Sequence, residues 1–157
     1  MDVNSFILGY TEGKKKSGGG GDVGGGFDAD TYFSVGLEEL NLEKATTLRV
    51  YAINSVATLK RLTFPKLETL NMFSISSCSG LTSLTFPKSF KSSGAMAVSS
   101  CIALTEVTFE GKPTGSIASM FNACNNLKTI NVPWALGEVA GAPWGATGAT
   151  INYNYGG

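Results

Sequence analysis

Leu104-Thr105-Glu106-Val107-Thr108-Phe109 is the stretch that decides the fold, because near-copies of it stand on either side. Leu81-Thr82-Ser83-Leu84-Thr85-Phe86 begins 23 residues before it and Leu127-Lys128-Thr129-Ile130-Asn131-Val132 begins 23 residues after it. Each copy opens three residues beyond a cysteine, namely Cys78, Cys101 or Cys124. A further copy, Leu59-Lys60-Arg61-Leu62-Thr63-Phe64, lies 22 residues upstream of the first. Apolar residues return at positions one, four and six of every phrase. A strand this short cannot bury its apolar side alone, so a fixed period of this length points to coils that stack and bury one another. The expected architecture is a short solenoid of about four coils, each of 22–23 residues.

Working outward, Leu37-Glu38-Glu39-Leu40-Asn41-Leu42, Leu48-Arg49-Val50-Tyr51-Ala52-Ile53 and Leu67-Glu68-Thr69-Leu70-Asn71-Met72 fit the same template at roughly half a period. Half a period cannot complete a coil, which needs about 20 residues. These phrases therefore read as a second face, two short strands per coil, with residues 33–58 an irregular cap or first coil and residues 59–133 the repeats proper. Phe64-Pro65, Phe86-Pro87 and Val132-Pro133 put proline straight after the strand, where its missing N–H ends pairing. Met72-Phe73-Ser74-Ile75, Met96-Ala97-Val98 and Ile117-Ala118-Ser119-Met120-Phe121 precede the cysteines as apolar groups without strict alternation. They suit a helical turn or a second strand on the convex side, filling the coil interior. Beyond Pro133 the repeat fails, and residues 134–157 read as a C-terminal cap with Trp134, Trp144 and Tyr153 as its lid.

The N-terminus is different in kind. Residues 1–32 combine a small apolar plug, Asn4-Ser5-Phe6-Ile7-Leu8-Gly9-Tyr10, with a glycine-rich run through Gly18-Gly19-Gly20-Gly21 and Gly24-Gly25-Gly26. Such composition is a tether by default. Plug and tether together read as an attachment peptide, with Phe6, Ile7, Leu8 and Tyr10 as the contact residues. Only Phe6 to Leu8 are consecutively apolar there, against about 7–15 residues for a signal peptide and about 20 for a membrane span. No export signal or membrane anchor is expected.

Composition narrows the chemistry. Twelve basic and twelve acidic residues cancel, and outside Lys14-Lys15-Lys16 the cations form no stripe, which argues against nucleic acid as partner. The chain has no histidine and no CxxC pair, so neither a zinc site nor the commonest general base has anything to build on. Glu38 and Glu39 are adjacent and expected on opposite sides of a strand, while Asp28 and Asp30 flank a loop, so neither pair makes an acid–base site. Lys16-Ser17 precedes the glycines, the reverse of a phosphate loop. No cofactor, metal or catalytic residue is expected. Stacked coils bring equivalent residues to about 4.8 Å, inside the Cα range of a disulfide. Their side chains run parallel, however, and the count is odd, so Cys78, Cys101 and Cys124 read as a structural ladder of free thiols.

With these residues in view, the chain resembles the bacterial BspA-like leucine-rich repeats, whose units of about 23 residues read LxxLxFP, a variable stretch, then FxxCxxL. The resemblance covers residues 59–155, is fullest at Phe121-Asn122-Ala123-Cys124-Asn125-Asn126-Leu127, and extends to Ala142-Pro143-Trp144-Gly145, similar to the family's closing segment. It implies a right-handed leucine-rich repeat solenoid with binding surfaces, found in bacterial adhesins and in phage and mobile-element proteins, and no catalytic residue. The N-terminal segment more distantly resembles small accessory proteins of phage particles.

The outward positions of the strands are the expected contact surface. Thr63, Thr85, Thr108 and Asn131 recur at one position, and Arg61, Ser83, Glu106 and Thr129 at another, with Lys60 and Lys128 nearby. The functional expectation is a non-enzymatic structural or accessory protein that displays this module on a larger assembly, a phage virion decoration. The alternative is a free cell-surface adhesin module binding protein or glycan. Partners would be particle proteins through the N-terminus, then a host-surface protein or glycan, with homo-oligomers through the N-terminal segment or along an exposed strand edge. The location would be the virion or another extracellular assembly, after synthesis in the bacterial cytoplasm.

Overall fold

A computed structural model describes residues 38–157. The attachment peptide and tether lie outside the described residues. The chain winds as a parallel β-solenoid, its strands in chain order being β1 (Glu39–Asn41), β2 (Thr47–Leu48) and β3 (Ile53–Asn54) in the first coil. β4 (Arg61–Thr63), β5 (Thr69–Leu70) and β6 (Ile75–Ser76) make the second, and β7 (Ser83–Phe86), β8 (Ser92–Ser93) and β9 (Val98–Ser99) the third. β10 (Glu106–Phe109) and β11 (Phe121–Asn122) belong to the fourth, β12 (Thr129–Asn131) opens the fifth, and β13 (Thr150–Asn152) follows it.

Every pairing is parallel and joins one coil to the next, as in Arg61 beside Glu39 and Glu106 beside Ser83. The strands sort onto three sides. One side stacks β1 on β4, with β4 lying against β7, and continues through β10, β12 and β13. A second carries β3, β6, β9 and β11, next to the cysteines, and a third carries β2, β5 and β8. The short repeat solenoid is as expected, with about five turns in all, but the first three coils each have three strands instead of two. Of the half-period phrases, those opening at Leu48 and Leu67 carry the third side, where Leu48 pairs with Leu70, while the one opening at Leu37 carries β1 on the first side. Residues 38–58, expected as an irregular cap or first coil, are a regular first coil in full register with the second. No helix occurs among the described residues, so the convex segment is a second strand and not a helical turn.

Inward residues from all three sides close one core. Leu40, Leu62, Leu84, Val107 and Ile130 come from the first side, Leu48 and Leu70 from the third, and Ile53, Ile75, Val98 and Phe121 from the second, all buried. Burial of each such side chain is worth about 1.5–3 kcal/mol. Where the first side ends, Phe64, Phe86 and Phe109 stack at 5.5 and 5.0 Å, a column completed by Trp134 at 5.4 Å from Phe109. Trp144 packs edge-on against Trp134 at 5.9 Å and both are buried in the core, with Tyr153 half-buried against it.

The second side is built between left-handed corners. Tyr51 and Ser55, Phe73 and Ser77, Met96 and Ser100, and Ser119 and Ala123 flank successive strands with φ between 51° and 60°. An L-residue pays about 1–2 kcal/mol for that conformation. The stack offsets it with bonds between coils: the Ser55, Ser77 and Ser100 N–H groups each donate at 2.9 Å to the Ser76, Ser99 and Asn122 carbonyls. These corners correct one expectation. Ile75, Ala97, Val98, Ile117, Met120 and Phe121 do fill the interior, but Met72, Phe73 and Met96 do not, because the positive φ at Phe73 and Met96 turns this corner outward.

Candidate functional site

The first side presents two outward rows. One runs Glu39, Arg61, Ser83, Glu106, Thr129, Thr150, and the other Asn41, Thr63, Thr85, Thr108, Asn131, Asn152, paired in register between β1 and β4 and from β7 through β10 and β12 to β13. Period-two alternation sets this arrangement, since Leu62, Leu84, Val107 and Ile130 between the rows point into the core. At about 4.8 Å per strand, six strands give a face about 24 Å long.

The rows are bonded within themselves at both ends. The Thr63 hydroxyl donates to Asn41 Oδ1 at 2.8 Å. Asn131 Nδ2 donates to Glu106 Oε1 at 2.7 Å and to Thr108 Oγ1 at 3.2 Å, and Asn152 Nδ2 donates to Asn131 Oδ1 at 2.8 Å. Of the eight expected contact residues, Arg61, Thr63, Ser83, Thr85, Glu106 and Lys128 are exposed and Thr108 is half-buried. Asn131 is buried, its amide spent inside the ladder, so it positions Glu106 and offers little to a ligand. Asn41, Asn152, Glu39 and Thr150 extend the same rows and were missed, because β1 lies in the half-period region and β13 lies beyond the failure of the repeat.

Charges at the rim bridge coils. Lys60 Nζ meets Glu38 at 2.9 Å, Lys91 meets Glu68 at 2.6 Å and Lys112 meets Glu138 at 3.1 Å, all exposed. Glu39 lies 3.9 Å from Arg61, so Glu38 and Glu39 serve different partners and share no site. Bonds from the Ala135 N–H and then from Lys112 hold the Glu138 carboxyl below its ordinary range.

Cys78, Cys101 and Cys124 are buried free thiols. Each donates to the carbonyl two residues before it, Ser76, Ser99 and Asn122, at 3.5 Å. The Cys78 thiol is lowered by its bond with Cys101 against the effect of burial. For Cys101 the bond with Cys124 acts downward, but the bond with Cys78 and burial outweigh it and push the group up to about 12. Cys124 is pushed up by its bond with Cys101 and by burial. The raised thiols of Cys101 and Cys124 stay neutral and are poor nucleophiles, and no metal-binding cluster exists among the described residues. Among those residues, no helix is long and apolar enough to cross a membrane.

Comparison with known proteins agrees with this geometry. In a solved structure titled as the crystal structure of the pneumococcal vaccine antigen PcpA, 20% identical, the matched region covers 61% of this chain and superposes with a TM-score of 0.55. The match spans 24% of that longer protein, and at such identity it shows the fold alone. No curated protein matches in sequence. A family profile described as the BspA type leucine-rich repeat region matches residues 28–141 in six copies. The chain belongs to the BspA-type leucine-rich repeat family.

Proposed function

We propose that this chain is a non-enzymatic binding module whose polar ladder side contacts a protein or glycan, carried on a larger assembly through residues 1–26. The carrying observation is the ladder side itself: a solvent-facing array in which Arg61, Thr63, Ser83, Thr85 and Lys128 are exposed on stacked parallel strands. Exposed polar strand surfaces suit recognition of a broad partner, whereas a small-molecule site is usually concave. Leucine-rich repeat modules in general mediate protein contacts, in keeping with this reading. A phage virion is the assembly we favour, on the strength of the plug Phe6-Ile7-Leu8-Gly9-Tyr10 and the glycine-rich run behind it.

Two variants separate the parts of this proposal. Replacing Arg61, Glu106 and Lys128 together with alanine should abolish retention on an array of immobilised glycans and surface proteins, and undiminished retention would end the ladder reading. Deleting residues 2–26 should abolish incorporation into purified particles. Unchanged incorporation would end the attachment reading and leave the free adhesin module.

A further inference from the structure

Four of the seven large apolar side chains exposed among the described residues stand on one corner, between the third side and the second. Val50 and Tyr51 are both 52% exposed, and Met72 and Met96 are 47% and 40% exposed. They form a ridge because the coils are in register: the Tyr51 N–H donates to the Phe73 carbonyl at 3.1 Å, and the Phe73 N–H to the Met96 carbonyl at 3.1 Å. Tyr51 and Phe73 stack with centroids 5.7 Å apart and planes 7° from parallel. Gly94 keeps the third coil close, since a Cβ there would lie 2.8 Å from the Met72 nitrogen.

The ridge stops abruptly. In the fourth coil, where the Met96 N–H donates to the Ser119 carbonyl at 2.7 Å, the equivalent residues are Ala118 and Ser119. The apolar surface is thus confined to the first three coils, at the N-terminal end of the stack. Contiguous exposed apolar surface of this kind marks a contact site. Its height of about 10 Å over three coils fits a short extended peptide, five residues of which span about 16 Å.

We infer that the ridge of Val50, Tyr51, Met72, Phe73 and Met96 is the seat of the chain's own plug, Phe6-Ile7-Leu8-Gly9-Tyr10. The sequence between plug and solenoid is long enough, since residues 11–37 at glycine-rich dimensions reach about 26–31 Å. The plug supplies four apolar side chains and no charge, and the ridge carries none. This inference does not rest on the proposed function, but it bears on it: a plug seated on its own ridge reaches an assembly only when that assembly offers a stronger seat.

Methionine-methyl NMR on the full chain tests the contact, because Met72 and Met96 lie on the ridge while Met120 is fully buried in the core. Replacing Phe6, Ile7 and Leu8 with serine should move the Met72 and Met96 methyl signals and leave Met120 in place, with wild-type positions unchanged on tenfold dilution. Unmoved ridge signals would overturn the inference, as would movement of Met120 along with them. Wild-type signals that shift on dilution would overturn it in favour of a second copy of the chain.

Discussion

The side that carries the cysteines and the side that carries the ladder share one period but put it to opposite uses. On the cysteine side, inward residues are nearly invariant from coil to coil: Ile53, Ile75, Val98 and Phe121 stack over Cys78, Cys101 and Cys124, and left-handed corners recur at fixed places. On the ladder side the inward residues repeat as faithfully, while the outward row changes from Glu39 through Arg61 and Ser83 to Glu106. Where a side chain must fill the interior, close packing allows few alternatives. Where it faces water, most exchanges are nearly neutral for stability. Irregularity on the outward row is therefore where a partner can be specified.

The largest expected effect that tests this comparison is on the inward set. Leu104→Ala, in the middle of the stack and fully buried, should lower unfolding free energy by roughly 2–5 kcal/mol in a urea titration. Lys91→Ala, at the exposed rim, should change it by less than about 1 kcal/mol. Equal losses at the two positions would erase the distinction between inward and outward residues.

Next come the corners. Ser100 has a φ of 54°, where a β-branched side chain is more strained than serine, so Ser100→Val should lower stability, whereas Ser100→Gly should be tolerated. A valine variant as stable as wild type would mean that the corner does not hold this conformation.

A smaller effect concerns the thiols. Cys101 is raised to about 12, so at pH 8.5 to 10 this thiol ionises in the unfolded chain but not in the folded one. Stability should be undiminished below about pH 8.5 and fall as pH rises above it. At pH 8 a thiol reagent should label Cys101 and Cys124 only under denaturing conditions, and rapid labelling of the native chain would contradict their burial.

The smallest expected effect lies at the cap. Because the Glu138 carboxyl is lowered in the folded state, its contribution is present above the ordinary carboxylate pKa of about 4.3 and is lost as pH falls below it. Glu138→Gln should flatten that part of the acid titration, and an unaltered acid limb would remove Glu138 from it.

Much of this was legible in the sequence, and the remainder failed for identifiable reasons. The 23-residue return of Cys78, Cys101 and Cys124 revealed the coils, and the prolines marked strand ends. The three-stranded coil escaped because strands such as Thr47–Leu48 and Ser92–Ser93 are two residues long, too short to show alternation. The outward turn of Met72, Phe73 and Met96 escaped because left-handed corners usually announce themselves with glycine, and here tyrosine, phenylalanine, methionine and serine adopt them. The rows of the ladder were visible from Thr63 to Asn131, but the burial of Asn131 depends on Asn152, which follows the last recognisable repeat.

The most direct test pairs stability with binding in one variant. Arg61→Ala/Glu106→Ala/Lys128→Ala should unfold in urea within about 1 kcal/mol of wild type while losing retention on the immobilised surface that holds the wild-type chain. A variant that folds equally well and is retained equally well would contradict the assignment of the ladder side as the contact surface.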